Sequence, residues 1–142
     1  MILPDVNLLV YAHNKSAPQH AAARAWWEAL IHDQQSVALA WAVLFGFVRL
    51  VTHPAVMASP LPPLEALARA RRWLEEPEVR IIQPGSRHLQ IVESLFRITA
   101  VGGSLTTDTH LAALAIEHQA ELHSNDADFA RFPGLRWVNP LA

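Results

Sequence analysis

Two kinds of apolar pattern alternate along most of the chain. Short, nearly continuous apolar runs have the length of strands, whereas longer segments repeat apolar residues every three to four positions, as amphipathic helices do. The strand-length runs lie, in chain order, at residues 1–5, 36–40, 78–84, 120–124 and 135–140. The helix-period segments lie at residues 18–33, 41–52, 64–76, 86–100 and 108–119. The pattern therefore predicts strands that alternate with helices.

The apolar positions within the helical segments predict which face of each helix is buried. The stripe of the first segment contains Ala22, Ala25, Trp26, Ala29 and Leu30. The stripe of the third contains Leu64, Leu67, Arg71 and Leu74. The stripe of the fourth contains Leu89, Val92, Leu95 and Phe96. The second segment is expected to end before Pro54, because a residue that precedes proline disfavours the helical conformation.

Apolar strands that alternate with helices are typical of a parallel sheet covered on both faces, which predicts an α/β fold. A chain of 142 residues fits one domain, so we expect a single domain over residues 1–142. In such sheets the binding crevice lies beyond the carboxyl ends of the strands. Polar residues at those ends are therefore the first candidates for a functional site.

Aspartates occur at three such places. Asp5 ends the first strand, Asp108 begins the fifth helix, and Asp126 with Asp128 follows the fourth strand. Carboxylates that converge in one crevice repel one another unless a cation lies between them. Oxygen ligands suit a hard ion such as Mg²⁺ or Mn²⁺, which activates water and offsets the charge of a reacting phosphodiester. The joint placement favours a metal site.

Each aspartate taken alone has a simpler interpretation. Asp108, or Thr107 beside it, would serve as the N-cap of its helix. Asp126 and Asp128 would cap a short helix or form an Asx turn. Asp5 is harder to explain in this way, since a charge at the end of a buried strand is costly without a partner.

Composition and charge narrow the function classes. The net charge of −2 provides no general basic field for a nucleic acid, so a polyanionic substrate would need a bound cation or local arginines. The absence of cysteine excludes disulfides and thiolate chemistry. The eight histidines show no H-x-x-x-H spacing and do not predict a zinc site. No apolar run has membrane-spanning length and no secretory signal is visible, so we expect a soluble cytoplasmic protein without a membrane partner.

Three segments together resemble the PIN-domain family, and most closely its VapC-type toxins. They are ILPDVNLLVYA around Asp5, TDTHLAALA around Asp108 and SNDADFARF around Asp126. The similarity extends over essentially the whole chain, including WAVLFGFVRLVTHP and the closing GLRWVNP. The motifs are short, but their order and spacing in a chain of this length are more specific than any one of them.

The resemblance implies a three-layer α/β/α sandwich and an Mg²⁺- or Mn²⁺-dependent endoribonuclease that acts as the toxin of a toxin–antitoxin pair. The family's metal-binding and catalytic acids fall on Asp5, Asp108 and Asp126, with Asp128 as a secondary ligand candidate. Asn7 and Ser124 would orient water or the ligands. The implied partners are RNA, a cognate antitoxin and a second copy of the chain in a homodimer. We expect the tryptophan-rich early helices to form the antitoxin groove. The residues expected to be core or partner-helix contacts, and not base-stacking surfaces, are Trp26, Trp27, Trp41 and Trp73.

The sequence departs from the family pattern at one position. Many PIN domains carry a glutamate on the second predicted helix, where this chain has Gly46, and residues 37–52 contain no acid. Arg49, one turn further on, would contact an RNA phosphate or an antitoxin carboxylate, or would simply be solvated. A catalytically weakened PIN-like module that binds RNA or protein is therefore the alternative function. A phosphatase-like enzyme is a weaker one, because no second acid follows Asp5 closely.

Overall fold

The computed structural model describes residues 1–142, in which strands and helices alternate as the sequence pattern predicts. The strands are β1 (Ile2–Pro4), β2 (Val37–Leu39), β3 (Val79–Ile81), β4 (Glu121–His123) and β5 (Arg136–Val138). The α-helices are α1 (Val6–His13), α2 (His20–His32), α3 (Trp41–Val51), α4 (Pro63–Glu75), α5 (His88–Thr99) and α6 (Thr106–Glu117). Two 3₁₀ helices lie at Gly103–Leu105 and Ala127–Arg131.

The five strands form one parallel sheet in the order β3-β2-β1-β4-β5. With right-handed crossovers, α1 to α4 lie on one face of this sheet and α5 with α6 on the other. The predicted α/β class and three-layer α/β/α sandwich are confirmed. Strands β2 and β3 lie on one side of β1, whereas β4 and β5 lie on the other. The strand order therefore reverses between β1 and β4, and the crevice of the sheet opens at the carboxyl ends of these two strands.

Helix α1 was not among the predicted elements. It begins directly after β1, where Asp5 is in an extended conformation and its side chain accepts a hydrogen bond from the Val6 amide. The helix buries Leu8, Leu9, Val10 and Ala12. Its apolar residues therefore surround the axis instead of forming one stripe, which is why the 3.6-residue period is not visible in the sequence.

The predicted buried face of α4 was wrong by about one position, and that of α2 was only partly correct, since Leu30 is buried and Trp26 packs against the core as predicted. Helix α2 buries Ala23 and Leu30, while Ala22, Ala25 and Ala29 are exposed. Helix α4 buries Ala66, Ala70 and Trp73, and Leu64 is 81% exposed. In both helices small alanines occupy the contact face, since they allow close approach to α1 and α3 respectively.

For helix α5 the predicted extent was correct, but the predicted buried face was only partly correct. Leu95 is buried as predicted, whereas Leu89 is 80% exposed and His88 is buried in its place. The main core lies between the sheet and its helices, with Leu3, Val37, Leu39, Phe47 and Leu122 fully buried. No helix is both long and apolar enough to cross a membrane.

Candidate metal centre

The predicted aspartates are brought to one edge of the sheet. Asp5 follows β1, and Asp126 follows β4, the two strands that flank the crevice. Asp108 lies in the first turn of α6, the helix that precedes β4. Because α6 runs antiparallel to the strands, its first turn lies at the carboxyl edge of the sheet, where Asp5 and Asp126 also lie. The topology of the sheet, and not closeness in sequence, unites these side chains.

Asp5 is the buried member of the group, with 8% of its surface exposed. One carboxylate oxygen accepts from the Val6 amide at 2.7 Å, and the other accepts from the Ser124 hydroxyl at 2.8 Å. The pKa of Asp5 is raised because burial disfavours its charged form, although both hydrogen bonds act in the opposite direction. Its partners hold the side chain in one orientation.

Ser124 connects several parts of the site. Besides donating to Asp5, its hydroxyl oxygen accepts from the Asp126 amide at 3.0 Å and lies 3.4 Å from the Asn7 side-chain nitrogen. Ser124 is fully buried. The end of β1 and the loop after β4 are therefore joined through one hydroxyl group.

Asp108, Asp126 and Asp128 form the closest acidic group, with one ligand oxygen from each lying within 4.8 Å of the others. Asp5 is outside this group, and protein donors engage both of its oxygens. Asp128, predicted as a secondary candidate, thus belongs to the group of three whose oxygens all lie within 4.8 Å of one another. Asp128 also pairs with Arg131 at 2.9 Å, and its side chain is 45% exposed.

The simpler interpretations of these acids are only partly correct. Asp108 is not an N-cap: the N-cap position of α6 is Leu105, without a side-chain cap, and no protein hydrogen bond engages the Asp108 carboxylate. Asp126 does cap the second 3₁₀ helix, accepting from the Asp128 amide at 2.9 Å through one oxygen. Its other oxygen receives no donor. The carboxylate oxygens left free are those of Asp108 and one each of Asp126 and Asp128.

The acids perturb one another electrostatically. Partial burial, followed by the negative charges of Asp5, Asp126 and Asp128, raises the pKa of Asp108 to about 6. Arg131 acts weakly in the opposite direction. A carboxyl group without a cationic partner and with three acidic neighbours is the arrangement that a bound cation would relieve.

The donor set fits a hard divalent cation. One carboxylate oxygen from each of three acids lies within 4.8 Å of the others, and no histidine or cysteine belongs to the cluster, which suits Mg²⁺ or Mn²⁺. A second observation comes from Asn7, whose side-chain oxygen is buried without a hydrogen-bond partner. Such an oxygen would be satisfied by a water molecule of the kind that Mg²⁺ retains when carboxylates bind it.

The two residues predicted on the second helix lie on α3. Gly46 packs against α1, where an added Cβ would meet the Val6 side chain at 3.3 Å. Arg49 is exposed and forms no salt bridge. Sequence reasoning missed Arg131, the cation beside the cluster, although its position three residues after Asp128 in a helical turn was a usable signal.

Comparisons with known proteins agree with this architecture. The family model described as PIN domain matches residues 2–135. The chain is 45% identical over 141 residues to Ribonuclease VapC33 of Mycobacterium tuberculosis, which covers 99% of both chains. The fold of the present chain is similar to that of a chain in the crystal structure of VapBC2 from Rickettsia felis bound to a promoter DNA fragment. The TM-score is 0.71, with 22% identity and 98% of each chain covered. The fold is also similar to a toxin–antitoxin complex from Klebsiella pneumoniae, with a TM-score of 0.67, 19% identity and coverage of 99% and 98%.

Proposed function

The chain belongs to the PIN-domain family, within its VapC group, and on that premise we propose that it is the ribonuclease toxin of a toxin–antitoxin pair. The finer part of the proposal is that it cuts RNA internally with Mg²⁺ or Mn²⁺. The observation that carries it is the convergence of Asp108, Asp126 and Asp128 within 4.8 Å, beside buried Asp5, at the crevice of the sheet.

We assign the metal ligands to Asp108 and Asp126, with Asp128 and Asp5 completing the acidic site. A divalent cation, when bound, supplies positive charge at the phosphodiester and lowers the pKa of a water molecule. Ser124 holds the Asp5 carboxylate and the Asp126 amide at fixed positions. Because a ligand must be deprotonated, a cation held by Asp108, whose pKa is about 6, would compete with a proton at and below that pH.

Two protein partners belong to the same proposal. A groove of about 460 Å³ between α2 and α4 is lined by Trp27, Trp73, Arg69 and Arg72, among others. Its tryptophans offer apolar contacts, and its two arginines with Glu28 and Glu76 offer charges of both signs, which supports the docking of an antitoxin helix that carries apolar and charged residues. A second copy of the chain, in a homodimer, is the other expected partner.

The test is cleavage of RNA by purified, antitoxin-free protein with Mg²⁺, with Mn²⁺ and with a chelator. Asp5→Asn and Asp126→Asn are expected to abolish metal-dependent cutting. Asp33→Asn, an exposed aspartate at the end of α2, is the matched control and should cut at the wild-type rate. Intact RNA with both metals, from wild-type protein shown to be folded, would contradict the proposal.

A second function, a PIN-like module that binds RNA or protein without cutting, is favoured by one observation. The helix position that carries a glutamate in many PIN domains is Gly46, and α3 provides no other acid. The same assay separates the two functions, since a binding module would retain RNA without hydrolysing it in the presence of either metal.

A further inference from the structure

Arg131 is joined directly to the acidic group of the candidate metal centre. It is the last residue of the second 3₁₀ helix, Ala127–Arg131, whose N-cap is Asp126. Its Nη2 atom donates to the Asp128 carboxylate at 2.9 Å, and its Nε atom donates to the Asp128 carbonyl oxygen at 3.2 Å. The short helix that Asp126 caps therefore also holds a positive charge beside the group formed by Asp108, Asp126 and Asp128.

The guanidinium group of Arg131 is both oriented and available to a ligand. Its two contacts with Asp128 fix the orientation of the guanidinium plane. Of the five N–H donors of an arginine side chain, these contacts use two, so three remain for a ligand. The side chain is 39% exposed. An arginine that is already held in one orientation loses little conformational freedom when it binds an anion.

The charge of the site explains why a substrate phosphate would need this arginine. Four ionised carboxylates carry a formal charge of −4, a divalent cation reduces it to −2, and Arg131 reduces it to −1. Arg131 is also the cation whose charge opposes the raised pKa of Asp108. The chain as a whole has a net charge of −2 and provides no general attraction for a polyanion. A phosphodiester therefore has to be attracted locally.

We propose that Arg131 binds a phosphate group of the RNA strand beside the metal centre, and that Asp128 positions Arg131 for this contact. The inference rests on the proposed function for the choice of RNA. Arginine suits this contact because its planar group can donate two parallel hydrogen bonds to phosphate oxygens. Asp128, whose side chain is 45% exposed, thereby acquires a role that is separate from metal binding.

A carboxylate of the antitoxin is the competing partner of Arg131. The groove between α2 and α4, where we expect the antitoxin to dock, has arginines of its own, Arg69 and Arg72. Arg131 instead contacts a member of the acidic cluster. A divalent cation at such a cluster commonly binds substrate phosphates in addition to carboxylates, so a phosphate is the anion expected next to Arg131.

The first test measures RNA binding separately from cutting. Fluorescence anisotropy would follow a labelled single-stranded RNA of about ten nucleotides, with Ca²⁺ in place of Mg²⁺ and the RNA checked for integrity. Arg131→Gln is expected to weaken binding about tenfold, since a charge-assisted contact to phosphate is lost. Arg131→Lys keeps the charge without the planar fork and should weaken binding about threefold. Arg97→Gln is the matched control, because Arg97 is an exposed arginine paired with Glu93 at 2.7 Å, and it should bind RNA unchanged.

Metal affinity distinguishes phosphate binding from a structural role. Titration with Mn²⁺ alone, without RNA, would follow the free ion by electron paramagnetic resonance. Arg131→Gln should bind Mn²⁺ at least as tightly as wild type, because the substitution removes a positive charge beside the cluster and releases the Asp128 carboxylate. A loss of Mn²⁺ affinity that parallels the loss of RNA affinity would show that Arg131 maintains the metal centre, and would overturn the inference.

Salt dependence provides an independent measure of the phosphate contact. For a single strand, each neutralised phosphate contributes about 0.7 to the slope of log affinity against log salt concentration. The slope for Arg131→Gln should therefore be shallower than that of wild type by about 0.7, whereas Arg97→Gln should keep the wild-type slope. Wild-type RNA affinity and slope in Arg131→Gln would overturn the inference, and this is the result expected if Arg131 serves an antitoxin carboxylate or is only a surface ion pair.

Failure of this inference can be distinguished from failure of the proposed function. If wild-type protein cuts RNA with Mg²⁺ and Arg131→Gln binds RNA with wild-type affinity, the ribonuclease is supported and the role of Arg131 is wrong. If wild-type protein binds RNA through Arg131 but never cuts it, the role of Arg131 is supported and the ribonuclease is wrong. Wild-type protein that binds no RNA under these conditions would overturn the inference.

Discussion

Asp108 is the residue most strongly affected by the convergence of acids. It combines partial burial with three negative neighbours, and no protein donor stabilises its charged form. Its pKa of about 6, against an ordinary value of 3.8, means that the folded protein binds a proton more tightly than the unfolded chain does. Stability should therefore fall as the pH rises from about 4 to about 6, with the penalty fully present above that window.

Replacing Asp108 by Asn removes this penalty. In chelator at pH 7, Asp108→Asn should raise the free energy of unfolding by about 1 kcal/mol, a value reduced for solvent screening because the side chain is partly exposed. At pH 4 the gain should vanish, since the wild-type carboxyl is then neutral in the folded protein. Urea unfolding at both pH values, with Asp33→Asn as the control, would measure the difference. An equal gain in unfolding free energy at both pH values would show that it does not come from removing the charge of Asp108.

Substitution of Ser124 is expected to have the opposite effect, a lower free energy of unfolding. Its hydroxyl serves Asp5, the Asp126 amide and Asn7, so Ser124→Ala would leave buried polar groups without partners. The expected loss is about 2 kcal/mol in the free energy of unfolding. Ser94→Ala, on the exposed side of α5, is the matched substitution and should change stability by less than about 0.5 kcal/mol. Equal stability of the two variants would show that the Ser124 network contributes nothing.

Single residues were the most predictable level of the site. Asp5, Asp108 and Asp126 could be selected because each lies at a strand end or helix start, and the sheet brings such ends together. The distances could not be predicted, since they depend on loop conformation. Asp128 approaches Asp108 because Asp126 caps a 3₁₀ helix, a local turn that the sequence allows but does not require.

Elements were predicted less evenly. The extents of α2 to α6 were predicted correctly within a few residues, including that of α6, which buries the consecutive residues 111–115 and not a single face. Helix α1 was missed because it is apolar on all sides and follows β1 without a turn signal. The face of α4 was wrong and that of α2 only partly correct, because alanine contributes little to a hydrophobic pattern, yet it occupies helix contacts in both.

The contact between α1 and α3 offers a test at this level. Glycine within a helix costs about 1 kcal/mol relative to alanine, but a methyl group at Gly46 would meet the Val6 side chain at 3.3 Å. In the Val6→Ala background that contact disappears. Gly46→Ala should thus be more favourable there than in wild type by about 0.5–1 kcal/mol in unfolding free energy.

Denaturant unfolding of the two single variants and the double variant closes this cycle. Additive effects would mean that Val6 moves aside freely and that packing does not favour glycine. A positive coupling free energy between the two substitutions would mean that packing against Val6 favours glycine at position 46, independently of any catalytic role.

At the scale of the whole molecule, the sequence predicted a parallel sheet with both faces covered, but it could not provide the order of its strands. That order depends on which neighbour each crossover selects, and no local pattern records the choice. The order β3-β2-β1-β4-β5 positions the candidate site, because it places β1 beside β4 and so brings Asp5 next to Ser124.

The most direct measurement is a titration of Mn²⁺ into antitoxin-free protein, followed by electron paramagnetic resonance of the free ion. The account predicts saturable binding to the wild-type chain, weakened at least about tenfold by Asp108→Asn and unchanged by Asp33→Asn. The number of ions bound per chain would also show whether the site with Gly46 holds one or two. A free-ion signal that wild-type protein does not reduce, or binding that Asp108→Asn leaves intact, would contradict the claim that these carboxylates form a metal centre.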